Sequence, residues 1–129
     1  MQENITIVFG GTRGIGKIIS KTLSERGDLL ITASRANLDK KSHLSIDLSS
    51  KKSRIKSNVL KYFKNKKFKI KNIIFCQKYK GNEFSLNFDV MLNSTNFIIE
   101  LLKNKMSKGS SIVLLSSIAI KTIVDEQPL

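Results

Sequence analysis

The chain has 129 residues, of which 40% are apolar and 26% charged, so it can form one packed domain but not a second full catalytic domain. Its net charge of +13 raises nucleic acids and anionic membranes as partners. However, 19 of the 23 basic residues are Lys, and the abundance of Lys, Ile and Asn is typical of an AT-rich genome. The apolar runs are too short to span a bilayer and the N-terminus lacks a secretion signal, so we expect a cytoplasmic protein that binds no membrane.

The first half of the chain predicts strands that alternate with a helix and short links. Residues 5–9 form a buried strand, GGTRGIG follows at 10–16, and Gly27 caps the helix that comes next. Further strands are expected over 28–33 and 43–46. The apolar residues of the helix recur at helical spacing: Ile15, Ile18, Ile19 and Leu23.

The second half continues the same alternation. Ser49 or Ser50 caps a predicted helix over about 50–65, and a strand follows over 71–76. A long helix over 84–106, ended by Gly109, leads to a strand over 111–116. The helix over 50–65 has an apolar face formed by Ile55, Val59, Leu60 and Phe63. Together these elements predict a parallel sheet of right-handed βαβ units that is covered on both faces.

The glycine-rich turn stands where a strand ends and a helix begins, which is the context that dinucleotide binding requires. Gly10 permits a tight turn off the strand, Gly14 lets the backbone approach a pyrophosphate, and Gly16 allows close helix packing. The start of the helix offers free N–H groups and a partial positive charge to phosphates. We favour this interpretation over an ordinary glycine-containing loop.

The segment VFGGTRGIG resembles the TGxxxGxG nucleotide loop of the short-chain dehydrogenase/reductase family. Asp47-Leu48 resembles the family's adenine-contacting Asp-Val/Leu pair, Asn93 its active-site Asn, and Ser117 of Ser116-Ser117 its catalytic Ser. The resemblance implies a Rossmann-like, doubly wound parallel sheet of about five strands in the order 3-2-1-4-5, incomplete at its C-terminal end. It also implies an NAD(P)-dependent oxidoreductase that acts on an alcohol/carbonyl pair and, when intact, forms a homo-oligomer.

Two segments depart from the family pattern. Phe9 stands where the family usually has a Thr that supports the loop. Cys76-Gln77-Lys78-Tyr79 replaces Asn-Asn-Ala-Gly, which removes a glycine that lies against the cofactor, although backbone contacts from Cys76 and Gln77 can survive. We interpret Cys76 as a small buried residue rather than a nucleophile. The single His, His43, is interpreted as structural, and no metal site is expected.

The choice between NADP and NAD depends on the residues that follow the second strand. An acid there would accept hydrogen bonds from the ribose 2′-OH of NAD, whereas Arg pairs with the 2′-phosphate of NADP. This chain has Ser34-Arg35 at that point and Arg13 in the glycine loop. We therefore predict NADP, with NAD as the second choice, and include Thr12 and Ile15 of the loop among the cofactor contacts.

The catalytic Tyr-x-x-x-Lys motif of the family does not follow Ser117. Tyr62 and Lys66 have the spacing, but they lie between the third and fourth strands. We therefore expect residues 1–129 to be the nucleotide-binding part of a single-domain reductase, without turnover by itself. Two alternatives stay open: a catalytically inactive nucleotide-binding module that partners with another chain, and a nucleic-acid binder that uses the Lys-rich tract 51–80. For that tract we favour a solvated surface.

Overall fold

The described part of the chain, residues 3–77 and 92–115 of a computed structural model, alternates strands and helices. A short 3-10 turn, Lys103–Lys105, precedes the last strand of this part. The elements in chain order are β1 (Glu3–Phe9), α1 (Gly14–Glu25), β2 (Leu30–Ser34), β3 (His43–Ser45), α2 (Lys52–Phe63), β4 (Phe68–Phe75), α3 (Ser94–Leu102) and β5 (Met106–Leu114).

The strands form one parallel sheet in the order β3-β2-β1-β4-β5. The predicted α/β class, the parallel sheet and the strand order 3-2-1-4-5 are therefore confirmed. The winding reverses at β1, which pairs with β2 on one side and with β4 on the other. In open parallel sheets ligands bind at this reversal, beyond the carboxyl ends of the strands.

The largest hydrophobic cluster lies on one side of the sheet. Right-handed crossovers place α1 on one face and both α2 and α3 on the other, because the connections run in opposite directions from β1. The core cluster joins alternate strand residues, such as Ile7 and Ile73, to residues of α2 and α3. Within the described ranges α1 adds no member to that cluster, and β2 and β3 are joined by residues 35–42 without a helix. The predicted cover on both faces is confirmed, because Val8, which alternates with Ile7 and Phe9 and so faces α1, is 0% exposed; the two faces differ in the size of their apolar clusters.

Helix α1 ends as predicted but faces the sheet differently. Gly27 has a φ of 89°, and its N–H bonds to the carbonyl of Ser24, so the predicted glycine cap is confirmed. Ile15 and Ile18, two of the apolar residues whose spacing predicted the helix, are 65% and 66% exposed. The buried residues of α1 are instead Gly16 and Ser20, whose small size lets the helix approach the sheet closely.

Helix α2 starts and packs differently from the prediction in two details. Its N-cap is Lys51, not Ser49 or Ser50, because the backbone and hydroxyl of Ser49 both bond to the carboxylate of Asp47. Leu60 is half exposed rather than part of the apolar face. The core-facing residues of α2 are Ile55, Val59 and Phe63.

The last described helix ends earlier than predicted. Of the predicted helix over 84–106, residues 84–91 lie outside the described residues, and α3 ends at Leu102. Gly109, with a φ of 80°, lies inside β5 where the pairing with β4 shifts register after Ile70, so its predicted role as a helix stop is wrong. No helix in the described ranges has the length and apolarity needed to cross a bilayer.

Candidate functional site

The glycine loop is a tight turn that packs against the end of β4. Gly10 has a φ of 75°, and a Cβ there would lie 2.8 Å from the backbone nitrogen of Gln77. A Cβ on Gly16 would collide with the carbonyl oxygen of Gly10. Only glycine fits either position, so these two residues let the loop pack tightly against the end of β4 and the start of α1.

The N-terminus of α1 is open. Gly14, the first residue of the helix, has a φ of 54° and has nothing within 4 Å of the place where a Cβ would stand. The preceding Arg13 is extended, no side chain caps the helix, and its first turn contains no acid. The N–H groups of Gly14, Ile15 and Gly16 are the orphan donors of this turn, and they carry the partial positive charge of the helix. These properties fit the pyrophosphate of a dinucleotide.

The glycine loop is tied to the end of β2 through two hydroxyl groups. The Oγ1 of Thr12 donates to the Oγ of Ser34 at 3.0 Å. The same Ser34 oxygen accepts the backbone N–H of Ala36 at 3.2 Å. Arg35 lies between Ser34 and Ala36 in the chain, and its side chain is exposed. The structure therefore brings Thr12, Ser34 and Arg35 together at the same edge of the sheet as Arg13.

His43 fixes the backbone that follows Arg35. Its Nε2 lies 2.8 Å from the carbonyl oxygen of Ala36, and its Nδ1 lies 2.8 Å from the Oγ1 of Thr32. A carbonyl oxygen only accepts, so Nε2 carries the hydrogen and the hydroxyl of Thr32 donates to Nδ1. Ser45 donates a further hydrogen bond to the same carbonyl at 2.8 Å. The ring is 5% exposed and both its nitrogens are bonded, which confirms the interpretation of His43 as structural.

Asp47 and Leu48 follow β3 and are held in place from both sides. The Oδ1 of Asp47 accepts the N–H and the hydroxyl of Ser49, at 2.9 and 2.6 Å. Burial opposes ionisation of Asp47, but these bonds and the charges of Arg35 and Arg54 outweigh it and hold its pKa below the ordinary value. Leu48 is buried, and its carbonyl accepts the hydroxyl of Ser94 at 2.6 Å.

The end of β4 packs against the end of β1. The rings of Phe9 and Phe75 stack with centroids 4.9 Å apart, so an aromatic pair supports the loop at the position where a Thr was expected. Cys76 donates its N–H to the carbonyl of Phe9 at 2.8 Å, and burial raises the pKa of its thiol. Gln77 donates from Nε2 to the Oγ1 of Thr95 at 3.0 Å. Cys76 and Gln77 therefore lie beside the glycine loop.

The predicted catalytic residues are only partly described. Asn93 is exposed and precedes α3, two residues before the Thr95 that Gln77 contacts, which places it near the end of β4. Ser116, Ser117, Lys78 and Tyr79 lie outside the described residues.

Tyr62 and Lys66 lie at the amino ends of the strands, opposite the glycine loop. They are placed there because α2 ends at Phe63 and the chain then enters the start of β4 at Phe68. The hydroxyl of Tyr62 donates to the carbonyl of Lys41 at 2.6 Å, and burial raises its pKa. The ammonium of Lys66 lies 4.0 Å from the centre of the Tyr62 ring. Tyr62 and Phe68 both pack edge-on against Phe63, with centroids 5.0 and 5.5 Å away. The aromatic residues of the Lys-rich tract thus pack on one another.

An open cavity of about 430 Å³ lies at the carboxyl ends of β2 and β3, against α2. Two of its lining residues, Arg35 and Asp47, belong to the predicted site. Arg54 and Asn58 of α2 were not predicted as site residues, although their spacing of four on a helix that follows Asp47 is a usable signal. The remaining lining residues are Ser45 and Ile46.

Comparison with known proteins identifies the fold. No protein-family model matches the sequence, and no curated protein sequence matches it significantly. The solved structures that share the fold include short-chain dehydrogenase/reductase structures, which confirms the resemblance stated from the motifs at the level of the fold. All of those reported below are under 25% identical to this chain.

Three of these structures are representative. Ligand-free aldohexose dehydrogenase of Thermoplasma acidophilum has 19% identity and a TM-score of 0.68, over 86% of this chain and 48% of its own. The 3-alpha-hydroxysteroid dehydrogenase of Pseudomonas sp. B-0831, complexed with NADH, has 18% identity and a TM-score of 0.66, over 98% and 53%. A blue fluorescent protein from a metagenomic library, in complex with NADPH, has 12% identity and a TM-score of 0.68, over 86% and 54%. The chain thus spans about half the length of these structures.

Proposed function

We propose that residues 1–129 are the nucleotide-binding part of an NAD(P)-dependent oxidoreductase of the short-chain dehydrogenase/reductase type. The observation that carries the proposal is the open N-terminus of α1, which follows a glycine-rich turn at the reversal of the sheet. That combination suits a pyrophosphate, because orphan N–H donors and the helix dipole act on the same anion. Neighbouring structures solved with NADH and with NADPH support the same class of ligand.

Different described residues contact different parts of the dinucleotide. The pyrophosphate lies on the turn from Gly14 to Gly16, and the adenine lies against Asp47 and Leu48. The backbone of Cys76 and Gln77, packed beside Gly10, lines the path between the two halves of the ligand. The bound nicotinamide supplies or accepts a hydride.

The substrate is an alcohol/carbonyl pair in this proposal, as the family resemblance implies. Ser117 polarises the carbonyl oxygen, and Asn93 helps to hold a relay water. The sequence contains no Tyr-x-x-x-Lys pair after Ser117, so we expect the 129-residue chain to bind the nucleotide without reducing carbonyl compounds.

NADP is preferred over NAD in this proposal. Arg13 and Arg35 lie at the same edge of the sheet and bear exposed side chains, and the end of β2 carries Ser34 rather than an acid. A guanidinium makes bidentate, charge-assisted bonds to phosphate, whereas no carboxylate is present there to accept the ribose hydroxyls of NAD.

Calorimetric titration with NADPH and NADH tests both the proposed nucleotide binding and the proposed preference for NADP. Replacing Arg13 and Arg35 together by Ala should weaken NADPH roughly 100-fold, from the loss of two charge-assisted contacts, and NADH by less than about threefold. Arg26→Ala is the matched control, since Arg26 is exposed at the far end of α1. Equal losses for the two ligands would refute the NADP preference. A wild-type chain that binds neither ligand would refute the proposed function.

A further inference from the structure

The cavity beside Asp47 contains two positive side chains on different elements. Arg35 follows β2, whereas Arg54 lies in the first turn of α2, and both line the same open space of about 430 Å³. Asn58 lies one helical turn after Arg54 on the same face of α2. The cavity is therefore bounded by α2 as well as by the ends of the strands.

Within residues 3–77 and 92–115, neither guanidinium forms a salt bridge. Among the residues that the structure describes, the ion pair joins Lys103 to Glu100, so Arg35 and Arg54 keep their side-chain donors. The Oδ1 of Asp47 is taken by Ser49, although the charges of both arginines act on this carboxylate. The cavity therefore holds two guanidinium groups against one carboxylate, and this excess of positive charge favours an anion that both guanidinium groups can reach.

We propose that Arg54 is a further ligand of the 2′-phosphate, in addition to Arg35 and Arg13, so that α2 takes part in selecting NADP. This inference rests on the proposed nucleotide-binding function. The ligand class of the cavity is an adenosine that carries a phosphate on its ribose 2′ oxygen. Arg54 is then a specificity-determining residue, and the 2′-phosphate is bound by α2 as well as by the residues at the carboxyl ends of the strands.

The test compares two ligands that carry the same number of phosphates in different places, adenosine 2′,5′-bisphosphate and ADP. Arg54→Ala should weaken the 2′,5′-bisphosphate about tenfold or more, while ADP changes by less than about twofold. Arg54→Lys keeps the charge without the planar fork and should lose only part of the affinity. Lys56→Ala is the matched control, because Lys56 is an exposed cation of α2 outside the cavity lining and should leave both affinities unchanged.

The possible results distinguish a failure of the Arg54 assignment from a failure of the proposed nucleotide-binding function. If Arg54→Ala weakens both ligands equally, or neither, Arg54 does not read the 2′-phosphate, whereas Arg35→Ala still reports on the proposed cofactor preference. If the wild-type chain binds neither ligand, the proposed function fails and this inference fails with it. Unchanged circular dichroism of each variant shows that the losses come from the site, and the exposed position of Arg54 makes that the expected result.

Discussion

His43→Ala is the most direct perturbation of the segment that carries Arg35. The change removes the 2.8 Å bond to the carbonyl of Ala36 and the 2.8 Å bond with Thr32 from a side chain that is 5% exposed. Two hydrogen bonds of about 1 kcal/mol each, together with the cost of a poorly paired Thr32 hydroxyl, give a loss of about 2–3 kcal/mol in the free energy of unfolding. Urea denaturation followed by circular dichroism measures this loss.

The same variant should also lower the preference for NADPH. The carbonyl of Ala36 keeps only the bond from Ser45, so the residue after Arg35 is held less firmly and the guanidinium is less well positioned. His43→Gln retains an N–H donor and an oxygen acceptor and should recover part of both losses. An unfolding free energy of His43→Ala within about 0.5 kcal/mol of wild type would show that these bonds contribute no net stability.

Three further outcomes are expected. Ser20→Ala should stabilise the chain by about 1 kcal/mol in thermal unfolding, because the buried Ser20 hydroxyl has no partner in the described structure; a loss of stability would indicate an unseen partner. Phe9→Ala should destabilise by about 3–5 kcal/mol, since Phe9 is 1% exposed and stacks on Phe75, and a change below about 1 kcal/mol would contradict this packing. The lowered pKa of Asp47 means that its ionised form contributes stability at neutral pH, and this contribution is lost as the pH falls from about 5 through the folded-state pKa. Asp47→Asn should therefore show a shallower acid loss in a pH series of urea denaturations, and an unchanged slope would exclude this contribution.

The sheet and the glycine loop were predictable because their signals are local. Strand runs separated by short links predict a parallel sheet with right-handed crossovers, whereas the order of β1 to β5 was implied by the family resemblance. The loop residues also lie where the spacing predicted, with Gly10 in the turn and Gly27 at the helix end. A positive φ concerns a single residue and favours glycine, so the position of a glycine in the sequence is enough to suggest it.

The errors concern which face of a helix meets the sheet. Apolar periodicity identified both helices but placed the half-exposed Leu60 on the apolar face of α2, and it gave no sign that α1 meets the sheet through the small residues Gly16 and Ser20. Small residues four apart are a signal for close approach that hydrophobicity alone does not weigh. Arg54 was missed for a related reason, since its place in the cavity depends on how α2 packs against β3 and not on any local motif.

The position of the largest hydrophobic cluster on one side of the sheet has a consequence for how a nucleotide would affect the molecule. Helix α1 contributes no residue to the cluster that α2 and α3 share with the strands, so we expect it to open locally at a lower free energy than that cluster. A dinucleotide that spans the glycine loop and the ends of β2 and β4 would bind only the docked form and would stabilise it in proportion to ligand concentration. A bound dinucleotide would then stabilise the face of the sheet that α1 covers, which has the smaller apolar cluster.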